Sequence, residues 1–331
     1  MTTRAMAAHA SGLLLTLAGL TLHGAAQAQD EARTFPEKSV RWVIPFPAGG
    51  ATDVVARMVA QKLTDQWGQP VVVENRAGAT GSIGSQYVAA AAADGYTLLM
   101  GTASTHAVAP AVNANLPYKN LADFTPITLV ATFPNLLVVH PSLPVHSVAD
   151  LIALLKAHPD RYNFASTGTG GSVHMAGELF KLKTSTRMTH VPYKGSSEAL
   201  ADLLSGRVQV EFDNMTTVWP LAQKGRLRAL GVTSLKRTPL APDLPAIAET
   251  VPDFDAPSWV GIFAPARTPA AIVQKIAASV SQVMQQPDVI KKLHELGATP
   301  VTDSPAAFAA FVEHDTERWR DVAAKAGIRL E

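Results

Sequence analysis

The sequence predicts an α/β fold built as two lobes, each a mainly parallel sheet flanked by helices. Three observations predict it. Short runs rich in β-branched residues alternate with longer runs of helical period, the grammar of βαβ units. The alternation occurs twice, in stretches that share a plan but not a sequence. Each stretch carries a glycine-rich turn where a strand hands over to a helix. The first is Phe46-Pro47-Ala48-Gly49-Gly50-Ala51-Thr52-Asp53, and the second is Ser166-Thr167-Gly168-Thr169-Gly170-Gly171-Ser172-Val173-His174.

In chain order, residues 40–44 are short and β-rich, as a buried strand is. Val55, Met58, Val59, Leu63 and Trp67 recur at helical spacing, and Gly68 offers a left-handed stop. Residues 71–74 form the next strand, Gly78 to Gly84 a loop, and an alanine-rich run through Ala93 a helix. Asp94-Gly95 turns the chain into a strand at 96–100.

The middle repeats the plan. Residues 136–139 are a strand, and Ser147-Val148-Ala149-Asp150 opens a helix as a capping-box pattern, with Pro159 marking its stop. Residues 162–165 lead into the second glycine-rich turn and its helix. Residues 190–193 are a strand, 198–204 a helix, and 208–212 a strand ending at Asp213-Asn214. After a strand at 227–232 comes a proline-rich loop from Pro239 to Pro257, then a strand at 259–263. Two helices follow, from Thr268-Pro269 and from Ser304-Pro305, each read as an N-cap with proline at the first helical position. Lobe 1 is assigned residues 33–128 plus 236–331, and lobe 2 residues 129–235.

The chain has 331 residues, 47% of them hydrophobic, enough for one large domain or two medium ones. Its net charge is +1, from 28 Lys and Arg against 27 Asp and Glu. No excess cationic field is available for a nucleic acid. The N-terminus reads as a secretory signal over residues 1–28. Arg4 supplies its charge, residues 12–22 its apolar run, and Ala26-Gln27-Ala28 its cleavage site. The apolar run is shorter than the ~20 residues a spanning helix needs. The chain has no cysteine, which excludes disulfides, thiolate metal sites and a lipidated anchor. An exported chain of this kind fits the periplasm.

Both glycine-rich turns can present bare N–H groups at a helix N-terminus, where the helix dipole favours an anion. For the first turn, tight turn geometry is one reading. The other is an anion seat built by Gly49 and Gly50, walled by Phe46, with Asp53 as a first-turn capping carboxylate or a ligand contact. In the second, His174 is either a packed or capping histidine or a ligand donor. Asp213 follows a strand, where α/β sheets present ligand groups. It either caps a turn or accepts from a ligand amine, hydroxyl or water. Ser104, Thr105 and His106 hold the same topological position after residues 96–100, with a plain polar loop as the alternative. Enzyme signatures are missing. Gly78, Gly81 and Gly84 give G-x-x-G-x-x-G, not a dinucleotide fingerprint, and there is no P-loop or G-x-S-x-G elbow. His294-Glu295 starts like a zinc helix without its second histidine. No catalytic residue, metal site or cofactor is expected.

The opening turn with Asp53 and Arg57 resembles the Bug family, the TctC-like periplasmic receptors of tripartite tricarboxylate transporters. The likeness continues through Val73-Glu74-Asn75-Arg76-Ala77-Gly78, Asp94-Gly95-Tyr96-Thr97, the second turn, His190-Val191-Pro192-Tyr193-Lys194-Gly195, Phe212-Asp213-Asn214 and Lys224-Gly225-Arg226. It implies a type II, Venus-flytrap binding protein, monomeric, that closes on a small carboxylate and docks on a membrane permease. It implies a ligand carboxylate held between the turns, partly through water, by the backbone of Ala48, Gly49, Gly50, Thr167, Gly168, Thr169 and Gly170. Asp213 would face the ligand's distal end. A sensory receptor feeding a two-component system is the alternative role. Ser196-Ser197-Glu198-Ala199 departs from the family pattern at the lobe-2 rim.

Overall fold

A computed structural model describes residues 33–330, so the expected signal peptide lies outside the described residues. The first lobe begins with β1 (Val40–Ile44), α1 (Ala51–Trp67), β2 (Val71–Asn75), α2 (Ser82–Ala89) and β3 (Thr97–Thr102). Strand β1 pairs in parallel with both β2 and β3. Helix α1 buries Val55, Ala56, Val59, Ala60 and Leu63 against this sheet. It ends at Gly68, whose φ of 66° lets its N–H reach the Thr64 carbonyl. Helix α2 is shorter than the alanine content suggests and stops at Ala89, with a 3₁₀ turn at Ala79–Gly81 before it.

The chain leaves the first lobe along β4 (Phe124–Phe133), passes Pro134 and enters the second as β5 (Asn135–Val139). There follow α3 (Val148–Ala157), β6 (Asn163–Ser166), α4 (Ser172–Thr184), β7 (Thr189–Pro192), α5 (Ser196–Leu204), β8 (Val210–Asn214), α6 (Met215–Gln223) and β9 (Arg228–Val232). Ser147 caps α3 as expected, accepting from the Asp150 N–H at 3.0 Å. The return strand is β10 (Ser258–Pro265). The chain closes with α7 (Ala270–Met284), α8 (Pro287–Glu295), β11 (Thr299–Pro300) and α9 (Pro305–Ala326).

Both sheets are mixed, which corrects the expectation of mainly parallel pairing. The first has the order β11-β4-β10-β3-β1-β2 and the second β7-β6-β8-β5-β9. Only β3-β1-β2 and β7-β6-β8 are parallel blocks. The crossing strands cause the mixture. Strand β10 returns beside the outgoing β4 and must run opposite to it, and β5 enters against the direction of β8 and β9.

The lobe boundaries also move. Residues 129–133 complete β4 in the first sheet, so the outward crossing falls at Pro134. On the way back, the Val232 N–H donates to the Pro245 carbonyl at 2.9 Å, and Ala241 and Ala246 pack with Leu136 and Val138. The proline-rich segment therefore covers lobe 2, and the chain rejoins lobe 1 at Ser258. Thr268 does not cap α7. Pro269 takes that position, and the Thr268 hydroxyl donates to the Pro265 carbonyl.

Helix α9 ties the lobes together. Its Phe308, Val312, Trp319 and Val322 share one core with Leu99 and Phe263 of lobe 1 and Phe164, Val173 and Phe180 of lobe 2. Gly261 makes room for it, since a Cβ there would lie 2.2 Å from Phe308 Cζ.

Candidate ligand-binding cleft

The parallel blocks of the two sheets point the loops after their C-terminal strand ends into the space between the lobes, the usual ligand edge of such sheets. Lobe 1 contributes the turns after β1, β2 and β3. Lobe 2 contributes those after β6, β7 and β8. They meet at short range. The Ser172 N–H donates to Ser104 Oγ at 3.1 Å, and the Ser104 hydroxyl donates to Ser172 Oγ at 3.2 Å. A Cβ at Gly168 would stand 3.4 Å from Thr80 Oγ1.

The first turn is organised by Asp53. Phe46 is half-buried, and Pro47, Ala48, Gly49 and Gly50 are exposed. Gly49 has a φ of 87° and donates its N–H to Asp53 Oδ2 at 2.9 Å. Asp53 also accepts from Arg57 at 3.0 Å and from Asn75 at 2.9 Å, and Asn75 ties back to the Phe46 carbonyl at 3.1 Å. Burial alone would raise the Asp53 pKa. The hydrogen bonds from Arg57, Gly49 and Asn75 outweigh it and hold the carboxyl below its usual range. Asp53 is thus engaged within its own turn, and the Gly49 N–H is spent on it. Among the described residues, the N–H groups of Gly50, Ala51 and Thr52 have no protein acceptor.

Two histidines organise the second turn. Gly170 has a φ of 74° and donates its N–H to His174 Nδ1 at 3.2 Å. His190 Nε2 lies 2.6 Å from Ser166 Oγ, which in turn accepts the Gly168 N–H at 3.3 Å. The two imidazoles stack with centroids 3.8 Å apart. Burial, then the charges of His190 and Lys181, lower the His174 pKa to about 3. Burial and Lys181 lower that of His190 to about 4. Both rings are neutral, and His174 faces inward as a brace for the turn. Gly170 is buried, with its Cβ position only 2.6 Å from Leu330 Cδ1 of the C-terminal tail. Thr167 and Gly168 are half-buried and Thr169 is exposed. The N–H groups of Thr167 and Thr169 have no acceptor among the described residues.

The stretch after β3 is a π-helical turn, Ser104–Val108, rather than a loop. It divides the predicted residues. Ser104 reaches the cleft. Thr105 is fully buried, receiving the Thr102 N–H at 2.9 Å and lying 2.8 Å from His106 Nδ1. His106 is enclosed between Tyr118, Phe124 and Phe263. Asp213 lies within β8 itself, fully buried, its Oδ1 accepting the Asn214 N–H at 2.7 Å.

Three groups at the cleft escape a reading by motif. Thr80 belongs to a left-handed run with φ of 133° at Gly78, 48° at Ala79, 52° at Thr80 and 93° at Gly81. Such a run is costly for Ala and Thr, and it aims Thr80 at lobe 2. The G-x-x-G-x-x-G spacing was its visible trace. Asn135, just past the outward crossing, and Thr233, just past β9, clasp each other: the Asn135 N–H donates to Thr233 Oγ1, and the Thr233 N–H returns to the Asn135 carbonyl, both at 2.9 Å. No motif marks either residue.

Among the described residues no three His, Cys, Asp or Glu side chains gather as metal ligands, and no helix is long and apolar enough to cross a membrane. A surface cavity of about 610 Å³, lined by Ala89, Asp123 and Arg267 among others, lies elsewhere and includes none of these cleft residues.

Comparison with known proteins gives a consistent result. Residues 55–328 match the model of the tripartite tricarboxylate transporter family receptor. The chain is 38% identical over 322 residues to protein BugT of Bordetella pertussis, covering 97% of each. It superimposes on the structure of Rpa4515 of R. palustris with adipate at a TM-score of 0.84 and 41% identity, covering 89% of this chain and 99% of that one. It superimposes on MatC of Rhodopseudomonas palustris with bound malate at 0.79 and 34% identity, covering 87% and 99%.

Proposed function

The chain belongs to the tripartite tricarboxylate transporter receptor family, a family of solute-binding receptors rather than enzymes, and on that premise we propose that it captures a small organic acid in the periplasm. The ligand carboxylate sits between the two glycine-rich turns, and the closed protein, a monomer, delivers it to a membrane permease. One observation carries the reading. Free N–H groups at Gly50, Ala51 and Thr52 head α1 on one side of the cleft, and those of Thr167 and Thr169 precede α4 on the other. Aligned peptide dipoles favour an anion at each helix end by roughly 0.3–2 kcal/mol. Phe46, Ala48, Gly49 and Gly50 line the lobe-1 side. Gly168 and Gly170 shape the lobe-2 turn, and Ser104 stands between them. Asp53 and His174 act by holding the turns in form, and Thr105 by tying the π-helical turn to Thr102 at the end of β3. Asp213 reads the ligand's distal end. Adipate and malate, bound by relatives, define the ligand class to be tried first.

The test is a thermal-shift screen of the mature protein against mono-, di- and tricarboxylates. A saturable rise is expected, since a ligand at 100 times its Kd adds about 2.7 kcal/mol to the folded state. No shift with any acid, in protein shown by mass spectrometry to carry no co-purified ligand, would refute the reading.

A further inference from the structure

We propose that Glu211 and Asp213 act as one acid holding a single shared proton in the lobe-2 wall of the cleft, and that this proton decides which distal group of a bound carboxylate is accepted. The selectivity half of this rests on the carboxylate reading above. The shared proton does not.

Side chains two apart on a strand share a face. Glu211 lies opposite Val138 and Asp213 opposite Leu136 on β5, and both partners point into the cluster under α5 and α6. Val210 and Phe212 take the other face, against Phe180. Both carboxyls are fully buried. Glu211 Oε1, Glu211 Oε2 and Asp213 Oδ2 have no hydrogen-bond partner among the described residues. Trp219 of α6, packed against the same cluster, has a buried Nε1 that likewise has none. Unpaired buried acceptors mark a place built to receive hydrogen-bonding groups.

Among the described residues no base is paired with either carboxyl. Helix α6 and strands β5 and β6 carry no titratable side chain. Helix α5 brings Glu198 and Asp202, and the nearby Arg207 and Tyr193 are both bound to Asp202 at 2.9 Å. The loop before α5 carries Lys194, which is exposed while both carboxyls are fully buried. On the far face of β8, α4 holds His174, Glu178 and Lys181, with Lys181 bound to Glu178 at 2.8 Å. The Asn214 N–H bonds to Asp213 Oδ1 at 2.7 Å and, with the Ser196 hydroxyl at the head of α5, favours its charged form. Two adjacent buried carboxylates without a cation do not both ionise. Burial and the Asp213 charge push Glu211 well above its usual range, and burial raises Asp213 to about 6.

At neutral pH the pair therefore carries one proton and one negative charge, and its charged oxygen is an acceptor suited to a ligand hydroxyl or amine. Below about pH 6 the pair takes up a second proton, becomes a donor, and accepts a second carboxylate.

Two measurements test this. Infrared spectra of the ligand-free protein at pH 7.5 should show a protonated carboxyl band that Glu211→Gln removes. A wild-type spectrum without that band would overturn the shared proton. Calorimetry with adipate and hexanoate should show the preference for the dicarboxylate rising roughly 25-fold from pH 7.5 to 5.5, as one-proton linkage through a group titrating near 6 requires. Asp213→Asn, which cannot titrate, should flatten that rise. An unchanged preference in the wild type would overturn the selectivity. Binding of neither acid at any pH would count against the carboxylate reading, and the infrared result would still decide the proton.

Discussion

Gly50 and Gly170 look equivalent in sequence, but they answer to different neighbours. A Cβ at Gly50 meets nothing nearer than the Pro47 carbonyl at 3.9 Å, and its φ of −75° suits any residue. Gly50→Val should therefore leave the melting temperature nearly unchanged while weakening carboxylate binding at least tenfold, as calorimetry would read. Gly170 has a φ of 74° and its Cβ position is 2.6 Å from Leu330. Gly170→Ala should cost about 1–3 kcal/mol in urea unfolding, because both backbone strain and overpacking oppose it. The histidines give a pH signature. Their pKa values, lowered to about 3 and about 4 from the ordinary 6.5, mean that their contribution to stability is whole above about pH 6.5. It is lost progressively as the pH falls toward 4, because the unfolded chain takes up protons that the folded chain refuses. Asp213 runs the other way. Raised to about 6, it stabilises the fold most at low pH and loses that effect as the pH rises from about 4 through 6. NMR titration separates the two: both imidazoles should remain neutral at pH 5.5, and either one titrating near 6.5 would contradict their burial. The sequence showed that residue types at both turns suit an anion seat. It did not show that Gly49 spends its N–H on Asp53, or that Gly170 spends its N–H on His174, because each bond closes over several residues of turn geometry.

At the scale of elements, Ser104 does what an N-cap residue does, but from the opposite lobe. Helix α4 has Gly171 at its own N-cap position, with no side chain to offer. Ser104 Oγ accepts the Ser172 N–H instead. Ser104→Ala should remove about 1 kcal/mol from the closed arrangement. Small-angle scattering of the ligand-free variant should show a larger radius of gyration than the wild type, and identical curves would exclude the cross-lobe cap. Elements with clean periodicity were legible: β1, α1, α3 and α9 all stand where their apolar spacing and caps put them. Strand β4 was hidden by Pro126 and by threonines that break its alternation, and its register against β10 shifts twice. Helix α6 was masked by Pro220 within it, and α8 by a mostly charged face.

Across the whole molecule, two mixed sheets face each other over a cleft, spanned by the crossing strands and braced by α9. The direction of the crossing strands was not legible, because antiparallel pairing at Pro134 and Ser258 depends on partners about 70 to 140 residues apart. The facing of the two turns was legible only as a shared topological position. A crystal structure of the mature protein with its best carboxylate tests that facing. Ligand oxygens are expected within hydrogen-bonding reach of the Gly50 to Thr52 N–H groups on one side and the Thr167 or Thr169 N–H on the other, directly or through one water. A ligand seated away from either turn would contradict it.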